Sequence, residues 1–107
     1  MIVISKYIIP KGFAGLAVYP FIFLKKTSLK SDIFLINHEE IHLKQQRETF
    51  ILLFFFFYIM EWVIKLLIYQ NTALAYKNIS FEKEAYLNEG NINYLNNRKP
   101  WAFLNYI

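Results

Sequence analysis

The chain contains no cysteine, which removes disulfide cross-links and thiolate metal ligands together. Any metal must be held by nitrogen and oxygen. Histidine is almost as scarce: there are two, His38 and His42, four residues apart. The N-terminus, Met1 to Pro10, has no basic start, no long apolar stretch and no small-residue cleavage site. A secretory signal is therefore not expected, and the location read from the sequence is cytoplasmic or at the cytoplasmic face of a membrane. No internal repeat is found. Acidic residues are outnumbered 8 to 12 by basic ones, for a net charge of +4. Apart from Lys25, Lys26 and Lys30 the cations are scattered, and no nucleic-acid motif accompanies them, so nucleic acid is not an expected partner.

Apolar side chains are abundant instead. Hydrophobic residues make up 56% of the chain and aromatics 20%, high for a soluble domain. A length of 107 residues suits one domain, residues 1–107, with one modest core. The apolar excess must go into a dense core, a partner or a bilayer. The preference for lysine over arginine, with many Ile, Asn, Phe and Tyr, fits an AT-rich bacterial genome.

The pattern along the chain predicts an α+β fold: a short N-terminal β-sheet of two or three strands followed by three helices. Residues 2–9 are β-branched and apolar and read as a strand that Pro10 stops. Lys11-Gly12 makes a turn. Residues 13–25 form a second extended stretch, in which Pro20 implies an edge strand or a break into two short strands. Ser31 or Asp32 is positioned to cap a helix over Ile33–Thr49, a segment free of Gly and Pro. Residues 50–69 carry only Glu61 and Lys65 as charges, spaced to pair at i,i+4. Such a stretch is a buried helix or a membrane helix. Its uninterrupted apolar part, residues 50–60, is short for a span, so shallow contact with a membrane surface, or a homodimer burying the same face, is expected through residues 50–69. Ala73–Lys77 reads as a short helical or irregular connection, Ser80 as the cap of a further helix, and Gly90 as its end or a kink in it. Tyr94, Trp101, Phe103 and Tyr106 are expected to pack back on the core.

Residues 38–42 read His-Glu-Glu-Ile-His. On a helix, positions 38 and 42 share a face about one turn apart, so both imidazoles can converge on one metal ion. Glu39 then faces the space beside the metal, placed to take a proton from bound water and pass it to a leaving amine. A third protein ligand is required, and the composition makes it a carboxylate. Asp32 and Glu48 each lie six residues from a histidine on the same helix, a poor reach, and Glu61 has Lys65 beside it. Glu82, Glu84 and Glu89 remain.

Ser80-Phe-Glu-Lys-Glu-Ala-Tyr86 resembles the Glu-x-Glu-Ala-Asp signature of gluzincin-type metallopeptidases. The similarity is to the catalytic core of the membrane-associated prenyl-protein and heat-shock-type peptidases and to the minimal minigluzincins. It covers about a third of the chain. The resemblance implies that Glu82 is the third ligand, that the ion is Zn2+, and that the chain hydrolyses a peptide or protein substrate with Glu39 as general base. It also implies a sheet whose edge strand lines the cleft, for which residues 13–24 are the candidate, and a substrate added there as an extra strand. The apolar helix would then make membrane-proximal peptides the natural substrates. One position departs from the family: Tyr86 stands where an Asp usually orients a ligand histidine. Its hydroxyl is a candidate to bond a ligand imidazole or the oxyanion, with Glu89 or Glu84 as a replacement carboxylate. Tyr94 and Arg98 are further oxyanion candidates. Gln45 and Gln46 share the histidine face and are expected to satisfy buried partners. The rival readings are a metal-binding module without useful turnover, and a small membrane-associated interaction protein.

Overall fold

The structure is a computed structural model describing all 107 residues. Three short strands, β1 (Ile2–Ile4), β2 (Gly15–Val18) and β3 (Phe21–Leu24), form one sheet in the order β1-β3-β2. β1 runs parallel to β3 and β2 antiparallel to it. The fold is α+β, as expected, and two differences concern the strands. The first strand ends at Ile4 rather than at residue 9. β3 has only four residues to pair with, so after Ser5 donates to the Leu24 carbonyl at 2.9 Å the chain turns away and Lys6, Tyr7 and Ile8 are exposed. Residues 13–25 break into two strands at Tyr19-Pro20, the second of the two outcomes foreseen for Pro20. Within residues 13–25 the edge strand is therefore β2 alone, since β3 lies in the centre of the sheet and β1 forms its other edge. The alternation of β3 buries Ile22 and Leu24, while β2 buries Ala17.

The sheet packs on α1 (Ile33–Glu48), whose cap is Asp32: the carboxylate accepts from the Leu35 N–H at 3.1 Å. Phe50 and Ile51, both at positive φ (58° and 64°), reverse the chain, with Leu52 N–H donating to the Phe50 carbonyl at 2.6 Å. For β-branched Ile51 this is a strained geometry. The reversal folds α2 (Leu52–Tyr69) back so that the Phe54 ring meets the His42 ring at 6.0 Å. α3 (Thr72–Lys77), capped by Asn71, packs on α2, and α4 (Ser80–Asn88) returns across α1. A single-turn α5 (Tyr94–Asn97) and a 3-10 turn over Ala102–Tyr106 finish the chain. The core gathers Phe54, Ile79, Phe81 and Phe103, with Phe55, Tyr58 and Trp62 against it. Phe103 thus packs inward as expected, whereas Trp101 stays exposed with its ring beside Phe103.

Two helices invert the usual rule of apolar inside and polar outside. The buried face of α1 is polar except for Ile41: Asn37, His38, Glu39, His42, Gln45 and Gln46 all point inward. α2 fully buries only Phe54 and leaves most of its large apolar residues outside; it is long and apolar enough to cross a membrane by length and composition. The first inversion builds the site, and the second is an unpartnered surface.

Candidate metal centre

Every buried polar side-chain atom in the chain has a partner, so the polar face of α1 is a constructed network rather than a defect. His38, Glu39 and His42 each turn a ligand atom toward a common point, all within 4.8 Å of one another. α4 adds Glu82: its Oε1 lies 3.2 Å from His38 Nε2 and 3.0 Å from His42 Nε2, and the two Nε2 atoms are 3.2 Å apart. Those three atoms form a nearly equilateral triangle. With metal–ligand bonds of about 2.0–2.1 Å, two ligands of a tetrahedral zinc ion stand about 3.3–3.4 Å apart. The triangle therefore has the dimensions of one face of such a site, and the donor set, two imidazoles and a carboxylate, suits it.

The outer nitrogens are held as well. His38 Nδ1 lies 2.8 Å from Glu89 Oε1, and His42 Nδ1 lies 2.8 Å from Gln45 Oε1. The Gln45 amide donates from Nε2 to the Phe81 carbonyl at 3.1 Å and to Glu84 at 2.9 Å. That fixes its oxygen toward His42. Both partners accept, so Nδ1 of each ring is a donor, and in the neutral imidazole the lone pair is left at Nε2. Glu82 Oε2, the oxygen facing away from the histidines, accepts from the Tyr58 hydroxyl at 2.6 Å. Asn37 donates to the Glu89 and Asn91 carbonyls, both at 2.9 Å, and pins the end of α4 that carries Glu89. We expect Glu89→Ala to weaken zinc affinity about 10- to 100-fold, read by competition with a chelating dye. An unchanged affinity would remove Glu89 from the site.

The electrostatics of the metal-free protein follow from this packing. Burial alone would lower the His42 pKa, but the adjacent Glu82 carboxylate raises it to about 9. Burial alone would raise Glu82; the charge of His42 and hydrogen bonds from His38, His42 and Tyr58 hold it well below the usual carboxylate range. A raised histidine pKa stabilises the fold fully below the ordinary value near 6.5 and ceases to do so as pH rises through about 9. A cation entering at neutral pH must displace that proton. Burial pushes Glu39 above the carboxylate range, with His42 and His38 opposing the shift.

Beside Glu39 runs the edge of the sheet. Lys25 N–H donates to the Ala14 carbonyl at 3.0 Å, so residues 14, 16 and 18 exchange bonds with β3 and the amides of Gly15 and Ala17 face the open side. Gln46 occupies one end of this edge, donating to the Ala17 carbonyl at 2.8 Å and accepting from Tyr19 N–H at 2.6 Å. The N–H and C=O of Gly15 are left facing the cleft. A Cβ on Gly15 would stand 3.3 Å from Leu24 and 3.4 Å from a Glu39 carboxylate oxygen, so glycine here lets the strand approach the acid. A cleft of about 670 Å3 runs between this edge, α1, α2 and α4, and takes in His38, Glu39, His42 and Glu82.

The other sequence candidates fall elsewhere. The Tyr86 ring packs edge-on against His38 at 4.5 Å and its hydroxyl pairs with that of Tyr76 at 3.0 Å. It makes no hydrogen bond to an imidazole, but both tyrosines line the cleft. Tyr94 and Arg98 are outside it. Tyr94 donates to Glu84 at 2.6 Å. The Arg98 side chain is fully buried, between Glu48 at 2.7 Å and Glu84, and so is not placed to meet an oxyanion. Glu84 is thereby committed away from the centre. Glu61 leaves Lys65 and instead accepts from Ser80 N–H at 3.1 Å and Ser80 Oγ at 2.5 Å, so α4 is capped by a carboxylate from α2 and not by Ser80. Tyr58 and Glu61 were missed as partners of α4. The signal was present: they are polar atoms three residues apart, on one face of an otherwise apolar helix. Comparison with known protein families, curated proteins and solved structures finds no match.

Proposed function

We propose that the chain is a zinc-dependent metallopeptidase in which His38, His42 and Glu82 hold the ion and Glu39 is the general base. The observation that supports it best is the triangle of Nε2, Nε2 and Oε1 atoms at 3.0–3.2 Å with Glu39 at its side. When bound, zinc supplies a Lewis acid that polarises a carbonyl and lowers the pKa of coordinated water. The chain's own groups do the rest. Gly15, through its free N–H and C=O, pairs with an extended peptide laid antiparallel or parallel to β2. That pairing aligns the scissile bond with Glu39, which takes the proton of the attacking water and returns it to the departing amine. The oxyanion needs a donor aimed at it before the charge develops. Tyr86, whose hydroxyl sits in the cleft beside that of Tyr76, takes this role in our reading. The His38 and His42 rings keep their orientation through Glu89 and Gln45.

Elemental analysis of the purified protein tests the centre. One zinc per chain is expected in the wild type and none in His38→Ala or Glu82→Ala. The zinc-loaded protein is then offered a library of unstructured peptides. Zinc retained by Glu82→Ala would overturn the ligand set. A stoichiometric zinc with no cleavage of any peptide would favour the module without turnover.

A further inference from the structure

The structure assigns a second surface to this chain: we infer that the outward face of α2 lies in the interface of a lipid bilayer, with the helix axis along the membrane plane. The inference is independent of catalysis, except that membrane-proximal peptides become the substrate class only on the peptidase reading.

All ten exposed positions between Leu52 and Ile68 are apolar. The two charges of the helix, Glu61 and Lys65, are both on its other side, and both are only partly exposed. At about 100° per residue the exposed positions sweep about 180° of the helix circumference, along about 27 Å of axis. A helix packed on a protein core presents a stripe of about 100° or more, and one packed on a single partner helix a narrower seam. A second copy of the chain would cover such a seam and leave the rest in water. A liquid hydrocarbon has no such restriction and wets the whole half-cylinder.

The arrangement also fixes how the helix meets the bilayer. Its inner face is occupied by the protein over much of its length: Phe54 against His42, Tyr58 bonded to Glu82, Glu61 bonded to Ser80. A perpendicular span would carry those buried charges and the whole of α1 into hydrocarbon, at high cost. Lying flat and immersed by roughly 5–10 Å, the helix puts only its apolar half into the acyl boundary. The net charge of +4 complements an anionic leaflet. Ile59 belongs to both surfaces: it is 61% exposed on the outward face and also lines the cleft. Phe34 on the opposite wall is 47% exposed. The mouth of the cleft is thus continuous with the docking face.

Flotation of the full-length protein with vesicles tests this, using phosphatidylcholine alone and phosphatidylcholine containing a minor share of phosphatidylglycerol. The wild type is expected to float with both. Binding to the anionic vesicles should be tighter and partly salt-sensitive, and binding to the neutral ones should persist in salt. The combined variant Phe56→Gln, Val63→Gln, Leu67→Gln alters only exposed positions and should partition at least roughly tenfold less with an unchanged circular dichroism spectrum. Equal flotation of variant and wild type would overturn the proposal. So would a wild type that ignores both vesicles and sediments as a dimer that the variant dissociates, which would give the face to a second copy. Zinc content is measured on the same samples: vesicle binding by a protein that takes no zinc supports the docking face and overturns only the peptidase reading.

Discussion

Glu39→Gln is expected to cut peptide hydrolysis about 10^2- to 10^4-fold while the zinc content stays at that of the wild type. The two halves of the result separate base from ligand. Glu39 is not one of the three atoms in the 3.0–3.2 Å triangle, and glutamine is close to isosteric, so His38, His42 and Glu82 keep their positions. What disappears is a carboxylate that can accept a proton. The wild-type acid is buried, and that burial pushes its pKa up against the pull of His42 and His38, the direction that makes a carboxylate a stronger base. The acidic limb of the kcat/KM profile should therefore vanish from whatever activity the glutamine variant retains. Tyr86→Phe is the companion. It should lower kcat with little change in KM if its hydroxyl meets the oxyanion, since that contact forms only in the transition state. Undiminished turnover in Glu39→Gln would end its role as base, and loss of zinc in that variant would make it a ligand.

The sequence made the centre of the site legible and concealed its supports, for a physical reason. His38, Glu39 and His42 are close in sequence, so helical geometry alone brings them together. Glu82 is 40 residues from His42 and came from a resemblance on α4. The three carboxylates left open by the sequence now divide by helix phase. Glu82, Tyr86 and Glu89 are separated by about one and two turns and share the face toward His38, whereas Glu84 points to the other side. Where the resembled signature carries an aspartate, this chain has Tyr86, and the outer histidine nitrogens are held instead by Glu89, one turn on, and by Gln45. Pairings such as Tyr58 with Glu82 depend on how α2 crosses α4, which no local pattern encodes. The strands were overextended because β propensity in residues 2–9 says nothing of how long a partner will be. α2 looked like a buried or a membrane helix because its composition is the same in both cases; only its packing distinguishes them.

Arg98→Ala is expected to destabilise the fold by about 3–5 kcal/mol, which for a domain of this size lowers Tm on the order of 20 °C. The chain uses arginine at only two positions, Arg47 and Arg98, against ten lysines. The second supplies a planar fork that lysine cannot. Its Nη1 and Nη2 reach Glu48 at 2.7 and 3.1 Å, and its Nε and Nη2 reach Glu84. Alanine would leave two carboxylates desolvated with no cation between them, and water cannot easily reach either, because the Arg98 and Glu84 side chains are fully buried. Lysine at 98 restores the charge but not the fork, so Arg98→Lys should recover only part of the loss. The pH dependence identifies the cause. Burial alone would raise Glu84, but hydrogen bonds from Arg98, Tyr94 and Gln45 outweigh it and lower its pKa. A lowered carboxyl stabilises the fold above its unfolded value, about 4.3, and loses that contribution as pH falls through the folded value. The wild type should therefore lose stability on acidification below about pH 4.3, whereas Arg98→Ala, in which Glu84 has lost the hydrogen bonds from Arg98 that lower it, should lose little further. Glu84 also holds Gln45, which orients His42, so the same variant should bind zinc more weakly even at temperatures where it remains folded. A melting point within a few degrees of wild type, with zinc affinity unchanged, would show that neither the fold nor the centre depends on this ion pair.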